Sequence, residues 1–305
     1  MTVTVANAPI SYGAFELTVG IDPSVPDGEA VLDEVADAGY AGIDLGPVGY
    51  LGSGPVLAER LAARNLGLAG AYLEFPFSEP AALERLYPEL DAMLDTFDAV
   101  RSVVPGPAPR PTIADAGSEA RRNAPGRSHV DPSRGLDAPG WSRFATGLSS
   151  VLARCRDRGY EPTFHHETGT YVEAPWEIGR VLEVSDVGLC LDTGHFFIGG
   201  GDPVQALREW SGRINHVHLK DALRAVMDGI IADDVPTPTI WSREAFPPLG
   251  RGDVDVEGVL ATLAATGYSG WLVVEQDIFP QTAERFVQAI ADQRANRRFL
   301  AEHGL

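Results

Sequence analysis

Short apolar runs alternate along the chain with longer stretches in which apolar residues return every three or four positions. The first pattern predicts strands and the second amphipathic helices. The runs fall at Ala6–Ser11, Tyr40–Leu45, Leu68–Phe75, Arg110–Asp115, Tyr160–Glu167, Val187–Asp192, Ile214–Lys220 and Trp271–Glu275. The helical stretches are Gly28–Gly39, Val56–Asn65, Pro80–Arg101, Pro139–Gly159, Ala174–Val184, Pro203–Ser211, Val256–Thr266 and Thr282–Ala301, with Gly39, Gly67 and Gly267 read as caps. Repeating units of about 30 to 40 residues argue for parallel strands joined by crossover helices. Eight such units predict an α/β fold, a single (β/α)8 barrel domain over residues 1–305. Helix-to-strand joints are short (AGY, NLG, RGY, TGY), whereas strand-to-helix joints are longer and more polar. That asymmetry puts the working face at the carboxyl ends of the strands.

Two loops on that face break the rhythm, at about residues 102–139 and 222–252. The first holds Arg121, Arg122 and Arg127; the second holds Trp241, Arg243 and Arg251 within PPLGRGD. Loops of this length are commonly functional. They read as a lid or a subunit contact, with arginines able to grip an anionic or polyhydroxyl ligand, and Arg251 is a candidate substrate contact.

Composition changes the picture mainly by exclusion. At 305 residues, 44% hydrophobic and 22% charged, the chain is an ordinary globular protein with a sizeable core. A net charge of -19 repels phosphate backbones, so no nucleic-acid partner is expected. No apolar run is long enough to cross a bilayer, and the stretch MTVTVANAPISYG lacks the charged start and apolar core of a signal segment. Cys155 and Cys190 read as reduced structural thiols, which fits a cytoplasmic location.

The chemistry gathers where strands end. Glu167, Asp192, His218 and Glu275 each close a strand, and a barrel brings such ends around one axis. Two or three carboxylates with one imidazole suit a divalent metal, Mn2+ first, with Co2+, Mg2+ or Zn2+ also compatible. His216 and His218 share a strand face, and His218 is nearer the carboxyl end. His165 and Glu167 share a face in the same way, with Glu167 the preferred ligand and His165 a neighbour or an alternative ligand. Asp192 also sits where a helix N-cap would. His195, in LDTGHFFIGGG, reads as a substrate contact ahead of a glycine-rich turn at Gly199–Gly201. Lys220 is either a substrate-facing cation or the partner of Asp221. Asp44 and Glu74 also end strands, in positions where carboxylates commonly bond loop amides. A metal beside two carboxylates stabilises an enediolate, which leads to epimerisation, aldose–ketose isomerisation or dehydration.

The motifs LDTGH, HVHLKD and GYSGWLVVEQD resemble the xylose-isomerase-like TIM barrels, a sugar isomerase/epimerase superfamily that also contains endonuclease IV. NAPISYG, FHHETGTYVE and PLGRGDVD look most like its inosose dehydratase branch. The resemblance covers nearly the whole chain. It implies a metal held by Glu167, Asp192, His218 and Glu275, Glu167 and Glu275 as the acid/base pair, His195 near substrate, and a small polyhydroxylated carbonyl substrate. Two departures, Glu167 where that branch carries a histidine and VVEQD where it carries a longer acidic motif, pull towards an isomerase or epimerase, with a lyase as the alternative. A nuclease related to endonuclease IV needs more His and Asp ligands and a basic face. A non-catalytic barrel subunit is the remaining reading, and a homo-oligomer or a second subunit is expected.

Overall fold

The computed structural model describes residues 3–279 and 282–305. Met1 and Thr2, the first residues of the stretch read for a signal segment, lie outside them. Among the described residues, nine parallel strands form the barrel: β1 (Val3–Asn7), β2 (Gly42–Ile43), β3 (Gly67–Leu68), β4 (Gly70–Phe75), β5 (Arg110–Asp115), β6 (Thr163–His165), β7 (Gly188–Asp192), β8 (Ile214–Leu219) and β9 (Gly270–Val274). Their order is β3-β2-β1-β9-β8-β7-β6-β5-β4. The two ends of that series are one strand position broken at Ala69. The Ala69 N–H donates to Ile43 (2.9 Å) and its carbonyl accepts from Arg110 (3.0 Å), which carries the ring across the break. The expected eight strand positions therefore stand.

The break has a physical cause. Leu68 and Ala71 both pack outward against helices, while Ala69 and Tyr72 face inward. One extra residue shifts the alternation, as in a bulge, so the single strand expected at Leu68–Phe75 becomes two.

Alternation along the strands separates two cores. Ile43, Leu45, Leu189, Leu191, Val217, Leu219, Leu272 and Val274 point outward into the layer beneath the helices. Ala6, Ala8, Ala69, Trp271 and Val273 fill the lumen. Trp271 closes the amino-terminal end of the barrel, with its indole N–H donating to Pro107 (3.1 Å). A Cβ at Gly67 would lie 2.6 Å from the Trp271 ring and 2.4 Å from the Pro105 carbonyl. Gly67 is thus a packing glycine in β3, not the helix cap expected. The helix Gly54–Ala63 is instead followed by Asn65, which takes the left-handed conformation (φ 54°).

Other boundaries move for local reasons. β1 stops at Asn7, and Pro9–Tyr12 turns into a 3-10 helix, so the strand expected at Ala6–Ser11 is shifted towards the amino terminus. Pro9 has no N–H to offer a ladder. The helix expected at Pro80–Arg101 is two, Pro80–Glu84 and Tyr87–Val100, because Pro88 cannot donate into a continuous helix. After Asp192 comes a helix, Thr193–Ile198, that the sequence did not reveal, and the glycine-rich turn follows it at Gly199–Gly201 as expected.

Both long loops are folded. They contain the helices Glu119–Arg122, Arg224–Asp233 and Pro238–Ser242. They are also tied together, because the Arg122 carbonyl accepts from both the N–H and the hydroxyl of Thr237, each at 2.8 Å. Arg121 does not face a ligand. Its guanidinium is buried and pairs with both oxygens of Glu177, at 2.9 and 3.1 Å. Among the described residues, no helix is long and apolar enough to cross a membrane. Cys155 and Cys190 are free and buried.

Gly67→Ala is expected to cost about 1–3 kcal/mol, the usual range for overpacking a filled core. The measurement is the urea midpoint of the full chain at unchanged slope. An unshifted midpoint would show that Trp271 is not confined by its glycines.

Candidate active site

The inward positions at the carboxyl ends of the strands converge on a cavity of about 510 Å³. Asp44 follows β2, Tyr72 and Glu74 lie on β4, His165 ends β6, His218 and Lys220 end β8, and Glu275 and Asp277 follow β9; all line the cavity. Glu167 and Thr168 join them from the loop after β6, and His195 from the helix after β7. Pro238 and Trp241, from the second long loop, complete the wall. Asp192 lies at the end of β7, fully buried.

Three of the four expected ligands meet. Asp192, His218 and Glu275 offer donor atoms that all lie within 4.8 Å of one another. His218 Nδ1 is 3.2 Å from Glu275 Oε2 and 3.9 Å from Asp192 Oδ2. The carboxylate of Glu167 stands beside two imidazoles, 3.7 Å from His165 Nδ1 and 3.2 Å from His195 Nε2. His165 Nε2 is in turn 3.6 Å from Asp192 Oδ2. His216 is buried below His218 and does not line the cavity.

Asp192 carries two duties on two oxygens. Oδ1 accepts the His195 N–H at 2.8 Å and so caps the helix Thr193–Ile198. Oδ2 faces His165, His218 and Lys220. The N-cap and the cluster position are therefore both real. His195 is oriented on its other side by the Thr168 hydroxyl, 2.8 Å from Nδ1.

Lys220 lines the cavity, and its partner is not Asp221. Its ammonium sits 3.0 Å from Asp192, 3.0 Å from Glu275 and 2.8 Å from Asp277, with the Phe246 ring centroid at 5.0 Å. Asp221 instead accepts from the backbone of Ala222, Gly252 and Val254 and shapes the loop that carries Arg251. Arg251 itself is exposed and is not among the cavity's lining residues.

Burial and charge then divide the groups. Burial raises the Glu167 carboxyl to about 8, against the opposing pull of His195 and Lys220. Burial also acts on Glu275, but the charges of His218 and Lys220 outweigh it and hold that carboxyl below its ordinary value. Burial lowers His165 to about 4, so its ring is neutral at pH 7. For Lys220, burial is overcome by Asp192, Asp277 and Glu275, which keep the ammonium charged.

The donor set fits a divalent cation. Both ring nitrogens of His218 are buried without an aligned hydrogen-bond partner, although polar atoms so placed are rarely left unsatisfied, and Asp192 Oδ2 has the Lys220 ammonium at 3.0 Å. Two carboxylates and an imidazole also form an O/N set suited to Mn2+, Co2+ or Zn2+.

Asp277, Tyr72 and Thr168 were not singled out by the sequence, and Trp241 was named only as part of the second long loop. Asp277 was readable, because it lies two residues past Glu275 and so on the same face. Asp44 was given only a loop-bonding role, yet its Oδ2 lies 3.7 Å from His218 Nε2. Trp241 comes from a loop, where no periodicity points at a target; its indole N–H reaches Asp277 at 3.3 Å.

A parallel (β/α)8 barrel whose carboxylates and imidazoles converge on a cavity at the carboxyl ends of its strands has the architecture of an enzyme of that fold. The chain belongs to the xylose isomerase-like TIM barrel family, whose model matches residues 32–302. It is 29% identical over 272 residues to an inosose dehydratase of Geobacillus kaustophilus, covering 86% of this chain and 83% of that protein. It is 30% identical over 295 residues to the rhizopine catabolism protein MocC of Rhizobium meliloti, covering 95% and 86%. A solved structure of the IOLI protein with a bound zinc atom shares the fold, with TM-score 0.66, 16% identity, and coverage of 96% and 97%. The chain is an enzyme of this family.

Lys220→Met should destabilise the chelator-treated protein by about 3–5 kcal/mol, because it strips the cation from buried carboxylates. Urea unfolding in excess chelator measures it. A midpoint equal to wild type would mean that the three carboxylates do not depend on the ammonium.

Proposed function

We propose that the chain is a divalent-metal-dependent enzyme that works at the carbon beside a carbonyl, in a keto-sugar or cyclitol, through an enediolate. One observation carries the reading: Asp192, His218 and Glu275 gather donor atoms within 4.8 Å at a cavity that Glu167 also lines. Asp192, His218 and Glu275 would hold the metal, with Mn2+ the preferred ion, and Glu167 stands beside them as the acid. What the ion supplies when bound is Lewis acidity towards a carbonyl and its neighbouring hydroxyl.

The chain's own groups do the rest. Glu275, kept anionic by His218 and Lys220, accepts the proton from the α-carbon. Glu167 retains its proton to about 8 and returns one, with His195 at 3.2 Å to stabilise the carboxylate left behind. Lys220 and His165 face the substrate oxygens where negative charge accumulates. The aromatic and proline side chains of the second long loop, Trp241 and Pro238, limit access of water.

Three outcomes share this first step. Loss of a β-hydroxyl, as in dehydration of an inosose, is the outcome supported by the relatives, which are named inosose dehydratases at 29% identity. Epimerisation or isomerisation is the second reading. A carboxylate pair, Glu167 with Glu275, favours it because either member can take up and give back a proton.

Protein stripped with chelator should lose activity and regain it with about one equivalent of divalent metal. Elemental analysis of Asp192→Asn and Glu275→Gln should find less than about a tenth of an equivalent. Wild-type protein that neither holds nor takes up metal would sink the proposal.

In D2O, metal-loaded enzyme should label the α-carbon of an inosose, followed by the absorbance of an enone or diketone. Label without loss of water on a ketose would select the epimerase reading, and no exchange on any member of such a panel would reject the substrate class. Glu167→Gln should lower turnover by about 10²–10⁴, the usual range for an acid/base group.

A further inference from the structure

The long carboxyl-terminal helix, Ala283–Glu302, buries Ala289, Gln293, Asn296 and Leu300 against the barrel. These positions form one stripe of a helix, the stripe where apolar residues normally sit. Two of the four are amides, and both are buried, with Gln293 0% and Asn296 1% exposed. Natural chains tend to break such local rules at sites that function requires.

Gln293 is the hub of a buried network. Its Nε2 donates to Gln276 Oε1 at 3.0 Å. Its Oε1 accepts from Asn7 at 2.9 Å and from Asn296 at 3.2 Å. Its backbone carbonyl accepts from the Tyr40 hydroxyl at 3.0 Å. Asn296 accepts in turn from the Leu249 N–H at 2.9 Å, beside the loop of Arg251. Gln276 is held twice more: its N–H donates to the Ser11 hydroxyl at 3.0 Å, and its Nε2 donates to Asp292 at 3.3 Å. Asn7 and Ser11 belong to the NAPISYG stretch, and neither lines the cavity.

Gln276 stands between Glu275 and Asp277, past the end of β9 at Val274. Glu275 and Asp277 line the cavity, and Gln276 turns the other way, towards the helix. Both carboxylates are close to Asp192 around Lys220, so like charges press on this short segment. An apolar contact at Gln276 would fill space without fixing direction. A satisfied amide network fixes direction, because each bond requires one geometry.

We propose that Gln293 is a positioning residue: acting through Gln276 from outside the barrel, it sets where Glu275 and Asp277 present their carboxylates inside it. The proposal rests on the metal-dependent reading above for its consequence in binding, and on the network alone for its consequence in structure.

The test uses the full chain, chelator-stripped, as wild type, Gln293→Leu, Gln276→Leu, the double variant, and Leu300→Ala as a control on the same stripe. Mn2+ titration calorimetry reads affinity, and hydrogen exchange by mass spectrometry reads the amides of residues 275–277. Gln293→Leu should weaken Mn2+ at least about tenfold and speed exchange at 275–277 at least about tenfold. Leu300→Ala should lower the melting temperature yet leave both readouts within about twofold. The double variant should bind no more weakly than Gln276→Leu, because the two residues act as one path. If Gln293→Leu does not fold, Gln293→Met serves, since it keeps the length of the side chain but cannot donate to Gln276. Mn2+ affinity and exchange both unchanged in a folded Gln293 variant would overturn the proposal, as would an equal loss in Leu300→Ala. If wild type binds no metal, the functional reading fails, and exchange at 275–277 alone still decides the role of Gln293.

Discussion

Three carboxylates share one buried ammonium at the end of the barrel cavity. Asp192, Glu275 and Asp277 approach Lys220 to between 2.8 and 3.0 Å. Charges taken out of water are costly unless each is paired, so each member of this group depends on the others. The fold supplies the pairing at no local cost in geometry. Lys220, Asp192, Glu275 and Asp277 sit at the carboxyl ends of three adjacent strands, β7, β8 and β9, in inward register. Neighbouring parallel strands lie about 4.8 Å apart, which is the spacing at which side chains from adjacent ends can share one counter-charge.

The same register explains how the site can use two carboxylates differently. Glu275 is next to His218 and Lys220 and stays ionised, while Glu167 is buried beside His195 and a neutral His165 and is pushed up to about 8. One group poised to accept a proton and one poised to give it is the arrangement that carbon-acid chemistry needs. Position on the ring, more than residue type, makes the difference. His195 belongs to this division as well, because it is held by Thr168 on one side and faces Glu167 and Asp277 on the other.

Much of this was legible in the sequence, and what was not has identifiable causes. The eight strand positions were readable because apolar runs and helical periodicity are properties of neighbouring residues. Asp192, His218 and Glu275 were readable as a group because a strand end in a barrel has only one place to point. Of the two readings of Lys220 only the pairing with Asp221 fails, since its partners come from β7 and from beyond β9, whereas Asp221 is merely adjacent in sequence. Arg121 resembled a ligand-binding arginine in an acidic chain, but it pairs with Glu177, 56 residues away in the chain. Helix Thr193–Ile198 was hidden by the glycines that follow it, and the break at Ala69 by a one-residue shift that leaves the apolar pattern intact.

The barrel's outside and inside are coupled by the alternation that builds it. Along a strand end, one residue turns to the cavity and the next to the helices. Any site residue therefore has a neighbour on the outer face whose packing constrains it. At β7 that neighbour is Leu191, held in the apolar layer. Past β9 the regular ladder has ended, and Glu275 keeps a single strand-like bond, from its N–H to Leu219 at 3.1 Å. There the outer neighbour is Gln276, and hydrogen bonds to Gln293, Asp292 and Ser11 take the place of the missing ladder. Where the sheet itself no longer fixes the backbone, the chain places its buried amides, and the carboxylates that need a fixed direction are the ones beside them.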